Sequence, residues 1–222
     1  MVVHRSRVGV VTRTSAGLCV KEWYGRGWKD ALRARLFGSK AMTAWRAARG
    51  FCARGVCTPE PLAAIDEKGG CGSCYLVTRF HENSRPLNRL ARDMAAAPDS
   101  AAEQQAVARA VGLEVGKLHA AGVYHGDLSA KNFLVEQSNG GWKASIIDLD
   151  NVRFRRPLTR RRRLKSLSQL NDLADGISLR GRIAFVRAYN ACGSYTIDRR
   201  AMKEIARLTC ARSAARDFRP PE

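Results

Sequence analysis

Between Tyr124 and Asp150 the chain carries His125-Gly126-Asp127, then Asn132 five residues after the aspartate, then Ile147-Asp148-Leu149-Asp150 beyond a short strand pair. No other stretch constrains the fold as strongly. One carboxylate placed to accept a proton, with an amide and a second carboxylate placed to hold a divalent cation, forms the polar skeleton of a phosphoryl-transfer site. Taken singly, an aspartate after glycine is a turn residue and Asn132 a cap. In this order and spacing they read as one unit, and most of the chain must be arranged around them.

The surrounding pattern supplies that arrangement. Residues 6–13 and 17–24 read as short strands, with a turn at Ser15-Ala16-Gly17. A basic loop from Gly25 to about Gly38 follows, and Ser39 can cap a helix through Met42, Trp45, Arg46 and Phe51. Pro61–Ile65 and Cys74–Phe80 read as a hairpin around Lys68-Gly69-Gly70-Cys71-Gly72. His81 to Ser84 is polar and makes a hinge. Beyond it, Ala91–Ala97 is a short helix, and Ser100 can cap a long one from Ala101 to about Ala121, with Val107, Val111, Val115 and Leu118 on one face and Gly122 as its stop. Strands Asn132–Val135 and Lys143–Ile147 flank Asn139-Gly140-Gly141, so that Asp148 stands at a strand tip. The remainder is helical over about 160–174, 180–192 and 198–212.

Composition excludes some classes. No run of eighteen apolar residues occurs, so no membrane span is expected. Met1-Val2-Val3-His4-Arg5 lacks the apolar stretch of a signal peptide, which points to the cytoplasm. The seven cysteines are odd in number and scattered, against a disulfide framework. Cys52, Cys57, Cys71 and Cys74 superficially suggest zinc, but nothing in their placement enforces tetrahedral convergence. The net charge of +19 points to an anionic partner or surface, and charge alone does not choose among nucleic acid, an anionic bilayer and a phosphorylated substrate.

At this point the sequence resembles a family. Val20-Lys21, Trp45-Arg46, Leu118-His119-Ala120-Ala121-Gly122-Val123, His125-Gly126-Asp127-Leu128-Ser129-Ala130-Lys131-Asn132, and Ile146-Ile147-Asp148-Leu149-Asp150 with Arg153 resemble the lipopolysaccharide kinases over about residues 17–190. These bacterial enzymes have a protein-kinase-like fold and phosphorylate heptose or Kdo sugars of the inner core. The resemblance implies an α+β, two-lobed, protein-kinase-like fold. A small β-rich N-lobe would span residues 1–82, and a mainly helical C-lobe residues 83–222. It implies ATP and Mg2+ as cofactors and a place on the inner face of the inner membrane. Lys21 would touch the nucleotide phosphates, Asp127 would be the base, and Asn132 and Asp148 would hold the metal. Backbone at Arg79, Phe80 and His81 would meet adenine, with Thr78 behind the purine. A small-molecule or protein kinase of the same fold, or a nucleotide-binding pseudokinase, are the alternatives.

Two departures stand out. Kinases pair the strand lysine with a helix glutamate, yet no acidic residue lies between Asp30 and Glu60. Glu22 adjoins Lys21 but alternates to the other strand face, leaving as alternatives Asp148 as a substitute partner or a lysine that nucleotide orients only on binding. The glycine-rich phosphate loop is also missing, since residues 1–17 contain only Gly9 and Gly17. The completeness of the first lobe is therefore left open.

Arg153, Arg155, Arg156, Arg160, Arg161, Arg162, Arg163 and Lys165 crowd the segment after Asp148, and Arg26, Lys29, Arg33 and Arg35 lie in the first-lobe loop. Such a run without acids repels itself unless an anion is near. Placed where kinases receive the acceptor, these arginines are candidates for binding a lipopolysaccharide core or another anionic acceptor and an anionic membrane surface. The absence of interleaved aromatics for base stacking argues against nucleic acid.

Overall fold

The computed structural model describes residues 1–6, 8–25, 38–67, 72–97, 99–155, 157–193 and 195–217, with single positions 32, 34 and 36. Arg26, Lys29, Arg33 and Arg35, the hairpin apex from Lys68 to Cys71, Arg156 and the C-terminal tail lie outside the described residues. The fold is α+β, and the chain divides into two compact units. One is Met1–Asn83 with Ile146–Val152, the other Ser84–Ser145 with Arg153–Glu222.

The first unit is built on a five-stranded antiparallel sheet in the order β1-β2-β3-β5-β4. Its strands are β1 (Val2–Ser6), β2 (Gly9–Arg13), β3 (Leu18–Trp23), β4 (Pro61–Asp66) and β5 (Cys74–Arg79). β1 is an addition to the expected set. As an edge strand with both faces open to solvent, it shows no apolar alternation by which to be found. The β1–β2 turn is closed by Ser6, whose hydroxyl donates to Gly9 O at 3.1 Å and accepts from Val8 N–H at 3.3 Å. A serine-closed hairpin thus stands where the sequence lacks a glycine-rich phosphate loop.

Helix α1 (Lys40–Cys52) starts as its sequence requires, with Ser39 Oγ accepting from Met42 N–H at 3.0 Å. Its buried face is Ala41, Ala44, Ala47, Ala48 and Phe51, while Met42 and Trp45 flank it half-buried. Small side chains on that face let the helix lie close against β4, β5 and the turn Leu149–Asn151. That turn is anchored in this unit at Ile146, whose N–H donates to Cys57 O at 2.9 Å and whose carbonyl accepts from Thr58 Oγ1 at 2.7 Å.

The second unit contains α2 (Leu87–Ala96), α3 (Ala101–Ala120), α4 (Arg160–Leu170), α5 (Leu179–Asn190) and α6 (Arg199–Asp217). It also holds the sheet β6-β8-β9 (Arg85–Pro86, Phe133–Ser138, Gly141–Ile146) and the pair β7-β10 (Val123–His125, Val152–Phe154). α2 begins four residues before its expected start, because Pro86 fixes the entry and Leu87, Leu90, Ala91 and Met94 form the buried stripe. Ser100 does not cap α3 with its side chain. Its hydroxyl turns back to the carbonyls of Met94 and Ala97 instead.

His119 is fully buried near the end of α3, with Nδ1 2.9 Å from the Tyr189 hydroxyl and no hydrogen-bond partner on Nε2. Burial first, and then the neighbouring Arg163 cation, lower its pKa from 6.5 to about 3. The ring is therefore neutral, so the expected gain from a cation at the helix C-terminus is not realised. The unfolded chain takes up this proton near pH 6.5 and the folded chain does not. The stability contributed by the neutral ring is complete above pH 6.5 and is lost as pH falls toward 3. Urea unfolding should show a stability about 2 kcal/mol lower at pH 5 than at pH 7 from this group. His119→Gln should flatten that slope, and an equally steep slope in the variant would assign it to another residue.

Candidate active site

In the first unit β3 places Lys21 opposite Leu76 and Val11 in the sheet register. Its ammonium pairs with Asp148 Oδ1 and lies 4.6 Å from the centre of the Trp23 ring. Glu22 points the other way and accepts from Ser73 Oγ at 2.9 Å. The strand lysine therefore has a carboxylate partner, supplied by Asp148 and not by α1. Asp148 does not sit at a strand end as expected. β9 stops at Ile146, and Asp148 takes a left-handed conformation, φ 65°, alone among the described non-glycine residues. Such backbone costs about 1 kcal/mol or more and persists where surrounding contacts hold it.

Asp150, two residues on, is the group that the sequence reading left without a role. It is half-buried, and its carboxyl is raised above the ordinary range. Burial is the first cause; Lys21 opposes it, Asp148 reinforces it, and the Trp23 indole N–H and Lys40 oppose it again. Only the repeated aspartate in Asp148-Leu149-Asp150 hinted at this.

In the second unit the loop after β7 carries Asp127 and Asn132. Asn132 closes a single 3-10 turn, Ala130–Asn132, and does not open the strand as expected; β8 begins at Phe133. Its Nδ2 donates to Asp127 O at 2.8 Å and to Asp127 Oδ2 at 3.1 Å. Lys131 Nζ lies 2.9 Å from the same Oδ2. Burial raises the Asp127 pKa, but hydrogen bonds led by that from Lys131, together with the Lys131 charge, outweigh it and hold the carboxyl below its ordinary value. Asp127 is thus ionised and oriented.

Buried His125 fixes the loop by accepting from Asp127 N–H on Nδ1 at 3.2 Å. Gln169 of α4, also buried, clamps it from the other side. Its Oε1 accepts from Leu128 N–H at 3.0 Å and its Nε2 donates to Gly126 O at 2.9 Å. A lone glutamine far along the chain gives no sequence signal for that role.

The segment expected to meet adenine is partly engaged already. Arg79 N–H donates to Glu60 O at 3.0 Å and Phe80 N–H to Gly17 O at 2.9 Å, so neither donor is available to a base. Thr78 faces Cys19 across the β3–β5 register and hydrogen-bonds its thiol. His81 follows, half-buried.

The arginine run separates into different environments. Arg153, Arg155 and Arg161 face solvent, and Arg162 lies 5.7 Å from the Tyr124 ring centre. Arg160 pairs with Glu204 at 2.7 Å. Arg163 corrects the expectation of an anion contact, being only 8% exposed. It donates to Leu158 O at 3.3 Å, packs on the Tyr195 ring and hydrogen-bonds the Tyr189 hydroxyl.

A five-stranded sheet with a lysine on its third strand, followed by a helical unit whose loop carries Asp127 and Asn132, defines a protein-kinase-like phosphotransferase. Residues 4–189 match the lipopolysaccharide kinase (Kdo/WaaP) family model, and the chain belongs to that family. It is similar to the lipopolysaccharide core heptose(I) kinase WaaP of Pseudomonas aeruginosa, 29% identical over 204 residues, covering 86% of this chain and 73% of that enzyme. It is also similar to the 3-deoxy-D-manno-octulosonic acid kinase of Xanthomonas axonopodis pv. citri, 34% identical over 144 residues, covering 63% of this chain and 51% of that enzyme. The same fold occurs in a solved structure of WaaP in complex with acyl carrier protein, with a TM-score of 0.69 and 24% identity over 98% of this chain and 88% of that one.

Proposed function

We propose that this chain transfers the γ-phosphoryl group of ATP to a hydroxyl of a heptose or Kdo sugar in the lipopolysaccharide inner core. The observation that carries the reading is the Asp127 carboxylate, kept ionised and aimed by Lys131 and Asn132. Asp127 accepts the proton of the attacking hydroxyl, which needs a carboxylate that is charged and within hydrogen-bond reach. Lys131 sets a positive charge beside that oxygen. Lys21 meets the nucleotide phosphates. Catalysis of this kind rests on positioning and on neutralising the charge in flight, with little covalent work by the protein.

The donor chemistry suits magnesium, which prefers hard oxygen ligands. Asn132 directs both amide hydrogens at Asp127, leaving Oδ1 as its ligand atom. With the Asp148 carboxylate it would hold the ion, which when bound offsets phosphate charge. Each of the two is oriented within its own unit, Asp148 by the Lys21 ammonium and Asn132 by the Asp127 carbonyl and carboxylate.

Arg153, Arg155, Arg161 and Arg162 are the cations that support an anionic acceptor and a peripheral place on an anionic bilayer. No helix among the described residues is long and apolar enough to cross a membrane. On α5, exposed Leu179 and Ile183 share the helix with Arg180, Arg182 and Arg187, a pattern suited to a helix resting on lipid. The direct test is transfer from labelled ATP to dephosphorylated core lipopolysaccharide, together with binding to anionic vesicles. Each cation near the surface contributes about 1 kcal/mol, so raising salt from about 0.05 to 0.5 M should weaken vesicle binding at least about tenfold. Binding of Mg-ATP with transfer to no core sugar would overturn the proposed activity, and salt-independent vesicle binding would remove the electrostatic part.

A further inference from the structure

We infer that Gln169 is a positioning residue for Asp127: one buried amide grips both peptide planes that flank the aspartate and so sets the direction of its carboxylate. The inference rests on the kinase reading for its meaning, and its geometry lies wholly in the second unit. The backbone groups around Asp127 can be accounted for one by one. In the plane before it, Gly126 O accepts from Gln169 Nε2 at 2.9 Å and Asp127 N–H donates to His125 Nδ1 at 3.2 Å. In the plane after it, Asp127 O accepts from Asn132 Nδ2 at 2.8 Å and Leu128 N–H donates to Gln169 Oε1 at 3.0 Å. His125 and Asn132 each hold one plane, and of the three side chains Gln169 alone holds both. Between two planar peptide groups only φ and ψ of Asp127 remain, so fixing the planes against each other fixes the backbone that carries the carboxylate.

The clamp needs an amide. Leu128 N–H calls for an acceptor and Gly126 O for a donor, and glutamine supplies both from one side-chain terminus. An ionised glutamate would offer two acceptors and set a charge against the Gly126 carbonyl, while methionine offers neither. Gln169 is 7% exposed, so water does not take over either bond, and losing one leaves a buried backbone group unpaired. The clamp also has a firm footing. Ser168 O, one residue before it, accepts from Thr209 Oγ1 at 3.2 Å and from Arg212 Nη1 at 3.0 Å, both on α6. Asn171 Nδ2 donates to the same Thr209 hydroxyl at 3.1 Å. α6 thereby anchors the end of α4 from which Gln169 reaches the loop. Lys131 and Asn132 aim a carboxylate oxygen, and Gln169 sets the backbone from which that oxygen projects.

The test uses Gln169→Met and Gln169→Glu in the full chain, the first also in the Asp127→Ala background. Gln169→Met is expected to lower kcat for transfer to dephosphorylated core lipopolysaccharide about 10–100-fold, the cost of a misplaced catalytic group, with KM for Mg-ATP changed no more than about threefold. With Asp127 already alanine it should cost no more than about twofold further, because a residue acting through another is non-additive with it. Equal losses in both backgrounds would overturn the inference, since Gln169 would then serve the fold and not the aspartate. Gln169→Glu supplies a signature that a merely structural role would not. Its protonated form can donate to Gly126 O while accepting from Leu128 N–H, and burial raises a carboxyl pKa. Its kcat relative to wild type should therefore climb at least about fivefold as pH falls from 8 to 6. His125, Asp127 and Lys131 on the loop side, and Asp172 and Arg212 toward α6, are common to both proteins, so the ratio isolates the new carboxyl. A flat ratio would remove the donor half of the clamp and the inference with it, and this series decides the matter even if Gln169→Met does not fold. Amide hydrogen exchange at Leu128 needs no acceptor sugar. It should quicken at least about tenfold in Gln169→Met, and unchanged exchange would count against the clamp. Mg-ATP binding by the wild type with no phosphoryl transfer would sink the kinase reading, while Leu128 exchange still decides whether Gln169 holds the loop.

Discussion

Asp127→Ala should lower phosphoryl transfer to dephosphorylated core lipopolysaccharide at least about 100-fold, because general-base assistance contributes about 10²–10⁴ to such steps. The loss should appear in kcat, with Mg-ATP affinity little changed, since Lys21 and Asp148 are left intact. Folding should also survive. The side chain is 38% exposed, and the shortest local contact to this residue, Asn132 Nδ2 to Asp127 O at 2.8 Å, uses the backbone carbonyl and remains in the variant. Asp127→Asn makes the sharper comparison. It preserves shape but cannot take a proton, so its rate should fall nearly as far as that of the alanine variant. The pH dependence follows from the direction of the shift. Burial raises the carboxyl, but hydrogen bonds led by that from Lys131, together with the Lys131 charge, more than offset it and hold the group below its ordinary range. The group is therefore ionised throughout the physiological range, and this residue should give no acidic limb in kcat between about pH 5 and 8. A variant with unaltered kcat would take Asp127 out of the reaction, whatever its place in the loop.

The same loop shows what could be read from the amino-acid order and what could not. Asp127, Asn132 and Asp148 could be singled out because the chemistry proposed for them depends on residue type at fixed short spacing. Their local backbone could not. Asn132 sits in a 3-10 turn and Asp148 in a left-handed conformation, and neither is announced by any propensity. Helix α1 was found from its Ser39 cap, but its buried face was misjudged, because alanines carry little hydrophobic signal beside Met42 and Trp45. Helix α3 was found from the periodicity of Val107, Val111, Val115 and Leu118, all of which are buried. Charge was the poorest guide. Arg160 to Arg163 look alike in sequence, yet one pairs with Glu204, one rests near Tyr124, one faces solvent, and Arg163 is buried against two tyrosines. Which role each takes depends on α4 phase and on α6, hence on contacts remote in the chain. Gln169 and Asp150 were missed for the same reason, since their partners are known only once the chain is folded.

The largest expected effect on stability lies where α3 meets α5. A methyl group built on Gly112 would sit 2.5 Å from Phe185 O and 3.0 Å from Phe185 Cα, both backbone atoms of α5. At Gly116 the nearest atom is Cys192 Sγ, also at 2.5 Å, with Tyr189 O at 3.0 Å. A thiol can rotate aside, whereas α5 backbone can yield only by moving the whole helix. Two opposing contributions then fix the sign. Replacing glycine within a helix gains about 0.5–1 kcal/mol of helix propensity, while overpacking a close helix contact costs about 1–3 kcal/mol and rises with side-chain size. Gly112→Ala should consequently be destabilising by about 1 kcal/mol, and Gly112→Val by about 3 kcal/mol because its branched Cβ adds bulk at the closest point. Gly140→Ala, with nothing within 4 Å of the added carbon, should shift stability by no more than about 0.5 kcal/mol. Urea denaturation of the three variants beside the wild type measures the series. Wild-type stability in Gly112→Val would mean that the two helix backbones are not held at this separation, and that His119 and Tyr189, which bridge the same helices lower down, carry the packing alone.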